Sequence, residues 1–283
     1  MQDIDSFVPQ HRKLLCMDSD GTVIDAMNVK HNRCHGRAFL EEWDLTGQAE
    51  TVQKVWNDIN LYEKTRGINR FLALYTMLTR MEGVRLHTDT HDLALFRAWL
   101  DKDDLSNISL RREIGRTDSP FLKKVLRWSE SVNEKIAALK PGDKPPFANV
   151  RETLAFAKDR ADLAIISSSN LAAITEEWDA WGLLEYPSFV TSQEIGSKDD
   201  CIARILEKGY RKEDVLMIGD AYPDVHAAAS NGVWYYPILV GHEAESWAEL
   251  RTEYLPLFLE DRFGTVQEAL LARFSDNFSA SRA

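Results

Sequence analysis

The chain has 283 residues, 44% hydrophobic and 28% charged, with a formal net charge of −11. That length fits one large domain or two ordinary ones and can bury a substantial core, in a balance ordinary for globular proteins. The negative charge argues against nucleic acid or an anionic membrane as partner. It leaves a phosphorylated substrate open, because one metal ion or lysine reverses the field inside a cleft. The cysteines Cys16, Cys34 and Cys201 form no CxxC pair and give no disulfide framework, so a reducing cytoplasm is the expected compartment. Met1 to Gln10 has acidic residues and no apolar stretch of the kind a signal peptide carries. No apolar run approaches the ~18 residues a bilayer span requires.

In chain order, Lys13 to Asp18 (KLLCMD) is a short apolar run ending in a carboxylate, which predicts a buried strand. From about Asn28 to Leu139 the apolar residues recur three and four apart. Phe71 to Thr79 and Leu93 to Leu100 are examples, and helices are expected throughout. The breaker cluster Pro141-Gly142-Asp143-Lys144-Pro145-Pro146 predicts a hinge or linker. After it, helices and strands alternate. Strands are expected at Leu163 to Ser167, Ser188 to Thr191, Val215 to Gly219 and Val233 to Pro237. Helices are expected at Asn149 to Lys158, Leu171 to Trp181, Lys198 to Lys208 and Asp224 to Ser230, with a helical tail from Glu243 to Phe274. This alternation predicts an α/β fold: a Rossmann-like parallel sheet core, residues 1–27 and 141–283, carrying an inserted helical cap domain, residues 28–140. Ligands of such sheets bind beyond the carboxyl ends of the strands.

Four chemical signals fall at those ends. Asp18-Ser19-Asp20-Gly21-Thr22 follows the first strand, and residues two apart in extended chain point the same way, so both carboxylates can share one site. One can stay ionised while the other holds a proton; the segment can equally be a turn rich in Asp and Gly. Ser167 ends the second strand and Ser168 follows it, where a hydroxyl and backbone N–H groups suit phosphate oxygens or an ordinary helix cap. Lys198 opens a helix, a poor place for a cation unless it faces an anion or is simply solvated. Asp220 and Asp224, in GDAYPD, can hold Mg²⁺ or cap a helix.

In this order and at these places, the four segments resemble the four motifs of the haloacid dehalogenase superfamily. An insert between the first and second is that superfamily's C1 cap type. The resemblance implies a phosphatase acting on a small phosphorylated metabolite. Asp18 would be the nucleophile and Asp20 the acid and base. Ser167, Ser168 and Lys198 would hold phosphate. Mg²⁺ would sit on Asp18, the Asp20 carbonyl and Asp220, with Asp224 supporting the metal's water or Lys198. Asp199 departs from the proline common after the motif lysine. Arg66 and Arg70 are candidate substrate contacts in the cap, or a solvated basic helix end, and Lys30, His31 and Arg33 are candidates of the same kind. A phosphomutase of the same superfamily and a catalytically silent binding member are the alternatives. Trp43, Trp56 and Trp99 are expected in the cap's core.

Overall fold

The computed structural model describes residues 4–81, 86, 88–102 and 104–280. Residues 1–3 of the N-terminal stretch read above, and the few others omitted from those ranges, lie outside the described part. The chain divides into two compact units, one from Met1–Ala26 and Lys140–Ala283, the other from Met27–Leu139.

Strand β1 (Leu14–Met17) is apolar and buried at every residue. It runs into Asp18, and the chain then turns at Gly21, whose φ of 82° is a conformation side chains resist. The insert follows. Its longer helices include α1 (Gly36–Glu42), α2 (Ala49–Asn57), α3 (Arg70–Arg80), α4 (Thr90–Leu100), α5 (Asn107–Thr117) and α6 (Pro120–Ala137). The later starts are written in the sequence. Asn69, Asp89, Ser106 and Ser119 each accept a first-turn N–H, and Pro120 occupies the position where its missing N–H costs nothing. The insert has its own core, in which Trp56, Phe71, Trp99 and Trp128 are buried, with Phe71 edge-on to Trp99 at 5.0 Å. Trp43 and Trp56 belong to this core as well.

The chain returns through the proline cluster, which is more than a loose connection. Asp25 N–H donates to the Pro145 carbonyl at 2.8 Å and Phe147 N–H to the Val23 carbonyl at 3.0 Å. Ile24 and Pro146 form an antiparallel bridge. Proline removes a donor but keeps its carbonyl, so the outgoing and returning segments still pair. Lys144 is buried here and meets Glu177 at 2.7 Å.

Beyond it come α7 (Val150–Ala157), β2 (Asp162–Ile166), α8 (Leu171–Asp179), β3 (Phe189–Thr191), α9 (Lys198–Leu206), β4 (Val215–Gly219), α10 (Tyr222–Asn231) and β5 (Trp234–Pro237). The tail holds α11 (Glu243–Glu249), α12 (Leu255–Leu259) and α13 (Gln267–Ala280). The strands form one parallel sheet in the order β3-β2-β1-β4-β5. Met17 lies opposite Ile165 on one side and Ile218 on the other. Leu15, Met17, Leu163, Ile165, Leu216 and Ile218 pack into one apolar layer, and Leu14, Cys16, Ala164, Ile166, Val215 and Met217 into the opposite one. A sheet covered on both faces explains why its strands read as continuous apolar runs rather than alternating ones. The chain builds outward from β1 to β3 on one side, then crosses to β4 and β5. The order therefore reverses between β1 and β4, and a crevice at the strands' carboxyl ends is expected there. Among the described residues, no helix is long and apolar enough to cross a membrane.

The Lys144–Glu177 pair gives a stability test. Removing one partner leaves a buried charge without its counter-ion, so Glu177→Ala should cost about 3–5 kcal/mol. The double variant Lys144→Met, Glu177→Leu should recover most of that loss. Urea denaturation of the three proteins measures both. Equal stability of Glu177→Ala and the parent would show that the pair contributes nothing.

Candidate active site

Asp18 follows β1 directly, and its N–H donates to the Ile218 carbonyl at 3.0 Å, extending the ladder to β4 by one bond. Asp220 follows β4, and Asp224 lies in the first turn of α10. The adjacency of β1 and β4 therefore brings Asp18, Asp220 and Asp224 together, each buried, with carboxylate oxygens all within 4.8 Å of one another. Lys198, first residue of α9, reaches into the same cluster. Its Nζ is 2.8 Å from Asp18 Oδ1 and 2.5 Å from Asp224 Oδ1. A lysine at a helix start opposes the dipole. Here two carboxylates offset that, and Asp199 and Asp200 put further negative charge in the same turn.

Neighbouring groups fix each carboxylate. Thr22 Oγ1 donates to Asp220 Oδ1 at 2.8 Å, and Thr22 is held in turn by Trp247 Nε1, which donates to its carbonyl at 2.8 Å. Asp224 Oδ2 accepts the Ala221 N–H at 3.1 Å, so this carboxylate also closes the start of α10. Gly219 makes the approach possible. A Cβ at that position would lie 2.4 Å from Asp224 Cγ, inside any permitted contact. Ser19 is buried, and its Oγ accepts from Trp178 Nε1 at 3.0 Å.

Asp20 is half-buried, and its Oδ2 accepts from Ser169 Oγ at 3.1 Å. Ser167 is buried at the end of β2, and its Oγ accepts the Ser169 N–H at 3.2 Å. Ser168 is exposed. Asn170 supplies the cap of α8, its Oδ1 accepting from Ala173 N at 2.9 Å. Asp199 lies within the first turn of α9, 3.0 Å from His226 Nδ1. The local shape is thus a capped helix start, with Ser197 Oγ accepting the Asp200 N–H at 3.2 Å.

Arg66 and Arg70 lie in the other unit. Arg66 is buried and donates to the Leu61 carbonyl at 3.1 Å, while Arg70 donates to Asn133 Oδ1 at 2.6 Å. His31 Nδ1 accepts from Trp56 Nε1 at 3.1 Å, and its ring stacks on His35 at 4.6 Å.

The electrostatics follow from the count of charges. Three buried carboxylates lie together, and one ammonium bridges two of them, Asp18 and Asp224. Burial, with the charges of Asp224 and Asp220, pushes the Asp18 carboxyl up to about 8 despite the pull of Lys198. Burial likewise raises Asp224, together with the Asp220 charge. Burial acts against the Lys198 ammonium, but Asp18 and Asp224 outweigh it and hold that group above the usual lysine range. A site of hard oxygens with excess negative charge has the donor set that a divalent cation such as Mg²⁺ takes. The donor chemistry therefore fits a metal of that class.

Of the residues the sequence marks, Asp18, Asp20, Ser167, Asp220 and Asp224 lie at or just beyond the carboxyl ends of β1, β2 and β4, and Lys198 reaches Asp18 and Asp224 from the start of α9. Two further contacts, Ser169 with Asp20 and Thr22 with Asp220, complete the arrangement. Ser169 sits in a run of similar residues, and Thr22 lies 198 positions from its partner, so neither contact had a local signal.

The model of the haloacid dehalogenase-like hydrolase family matches residues 12–232. No curated protein matches the chain. Among solved structures, the chain is similar to a haloacid dehalogenase-like family hydrolase from Streptococcus pneumoniae. The identity is 13% and the TM-score 0.45, covering 80% of this chain and 83% of that one. It is similar to a subfamily IA, variant 1 hydrolase from Geobacter sulfurreducens PCA, at 14% identity and TM-score 0.41, covering 81% of this chain and 88% of that one. A structure titled a predicted phosphatase from Clostridium acetobutylicum gives 14% identity and TM-score 0.49, covering 81% and 85% of the two chains.

The raised Asp18 predicts a pH dependence. Its ordinary carboxyl value in the unfolded chain is about 3.9, and its folded value is about 8. The folded state therefore holds the proton more tightly. The stabilisation from that proton is complete below the unfolded value and is lost as pH rises towards about 8. Metal-free protein should melt at progressively lower temperature from pH 5 to pH 8. Asp18→Asn should flatten that slope and exceed the parent by roughly 1–2 kcal/mol at pH 8. Thermal denaturation with a chelator measures it, and parallel slopes would refute the charge argument.

Proposed function

The chain belongs to the haloacid dehalogenase-like hydrolase family, and on that premise we propose that it is a Mg²⁺-dependent phosphatase of small phosphate monoesters working through an aspartyl-phosphate. The observation that carries this reading is the pair of first-motif carboxylates in unlike settings. Asp18 lies among Lys198 and two further carboxylates, while Asp20, two residues on, is half-buried and bonded to a hydroxyl. A nucleophile alone suffices for displacing a halide. A second acid is useful when the leaving group is an oxygen that must be protonated.

In the proposed reaction, an Asp18 carboxylate oxygen forms a bond to phosphorus as the bond to the ester oxygen breaks, and Asp20 gives its proton to that departing oxygen. Asp20, now ionised, takes a proton from water. The water oxygen bonds to phosphorus, the Asp18–phosphorus bond breaks, and inorganic phosphate and the Asp18 carboxylate are regenerated. Lys198 and Ser167 hold the phosphoryl oxygens, with backbone N–H groups near Ser168 contributing. Lys198 leaves its salt bridge with Asp18 for the phosphate while Asp224 keeps it in place. Asp18, the Asp20 carbonyl and Asp220 would hold Mg²⁺. The ion, when bound, supplies the charge that offsets repulsion between Asp18 and a phosphate dianion. Asp224, bonded to Lys198 and the Ala221 N–H, supports the lysine rather than the ion. The substrate is a small phosphorylated metabolite, and Arg66 and Arg70 remain candidates for shaping its choice.

Two expectations test this. With p-nitrophenyl phosphate, whose leaving group needs little protonation, Asp20→Asn should accumulate a phosphoryl adduct on Asp18, visible in the intact mass. Asp18→Asn should show none and lose turnover by at least about a thousandfold. An adduct on any other residue, or an active Asp18→Asn, would overturn the mechanism.

Asp220→Ala should remain folded but bind Mg²⁺ at least about tenfold more weakly by titration calorimetry and lose its metal-dependent activity. Unchanged Mg²⁺ affinity would remove Asp220 from the metal site. Product analysis over a panel of phosphorylated metabolites separates hydrolysis from internal phosphoryl transfer: free phosphate supports the proposal, an isomeric phosphate ester the mutase.

A further inference from the structure

The loop after β2 carries a contact that the four motifs leave unused. Ser169 Oγ lies 3.1 Å from Asp20 Oδ2 and, with an ionised or carbonyl oxygen opposite, acts as the donor. The serine is held in position from both sides. Its N–H donates to Ser167 Oγ at 3.2 Å, and its carbonyl accepts the Gln193 N–H at 3.1 Å. The hydroxyl has no helix-capping duty, because Asn170 performs that for α8. The backbone of Asp20 is also tied, through its bridge to Ile24 and the Gly21 N–H bond to the Ile24 carbonyl at 2.8 Å. These ties hold the Asp20 backbone, and the Ser169 hydroxyl acts on its carboxyl group.

We propose that Ser169 is a positioning residue that orients the Asp20 carboxyl for proton transfer. This rests on the phosphatase reading above. The hydroxyl can donate to Oδ2 whether Asp20 is protonated or ionised, so the same bond serves both halves of the reaction. With Oδ2 held, Oδ1 gives its proton to the ester oxygen as the phosphorus–oxygen bond breaks. Oδ1 later takes a proton from water as the water oxygen bonds to phosphorus and the Asp18 bond breaks. Orientation of the acid matters most when the leaving oxygen is strongly basic and cannot depart unprotonated.

The test is a series of aryl phosphates running from p-nitrophenyl to phenyl, with Mg²⁺ present, on the parent, Ser169→Ala, Ser169→Thr and Asp20→Asn. In Ser169→Ala, kcat/KM for phenyl phosphate should fall about tenfold while that for p-nitrophenyl phosphate stays within about twofold, the scale of one hydrogen bond's contribution. The dependence of log kcat/KM on leaving-group pKa becomes steeper, shifted towards that of Asp20→Asn. Ser169→Thr, which keeps the hydroxyl, restores the parent slope, and the inhibition constant of inorganic phosphate is unchanged. An equal loss along the series, or weaker inhibition by phosphate, would make Ser169 a phosphate contact and overturn the proposal. So would an unchanged slope. A parent that binds Mg²⁺ yet turns over no ester would overturn the phosphatase reading itself, and this inference with it.

Discussion

One ammonium group serves two buried carboxylates. Lys198 Nζ stands 2.8 Å from Asp18 and 2.5 Å from Asp224, with Asp220 in the same cluster. The negative charge of the three carboxylates exceeds the positive charge of Lys198, and burial leaves little solvent to compensate it. Such an arrangement persists only if a proton or a cation supplies the difference. The upward shift of the Asp18 carboxyl is the proton solution; a hard divalent ion is the other, and it would leave Asp18 ionised. The site is thus costly to fold in its metal-free, deprotonated form and suited to a metal-loaded one.

The rest of this end of the molecule holds the charges where they are. Gly219 lacks the Cβ that would strike Asp224, and Asp224 in turn occupies the space. Thr22 holds Asp220, Trp247 holds Thr22, and Ser169 holds Asp20. Each support comes from a different element, so the geometry depends on the sheet bringing these loops together. A parallel sheet covered on both faces is well suited to this, because its strands all end on the same edge and their connections emerge there side by side. The helical insert leaves and rejoins the sheet unit where the segments 23–25 and 145–147 pair, and it carries a separate apolar core rich in tryptophan.

Read alone, the sequence determined the elements and the chemical inventory. Strands buried on both faces announce themselves as unbroken apolar runs such as LLCM and VLMIG, and their loops announce themselves by Asp, Ser and Gly. Asp18 and Asp20 were legible as a pair because a two-residue spacing in extended chain is a local geometric fact. Lys198 was legible as a cation in the wrong place on its helix. The sequence also marked Pro141 to Pro146 as a break, and it is one in secondary structure; but the backbone carbonyls that prolines retain pair it with residues 24 and 25. Only the tertiary structure decided that β1 neighbours β4, that Asp224 bonds to Lys198 rather than merely starting a helix, and which hydroxyl meets which carboxylate. Those contacts join positions 26, 149 and 198 residues apart. Local propensity has no bearing at such separations, and the partners are chosen by strand order and by the burial of both sheet faces.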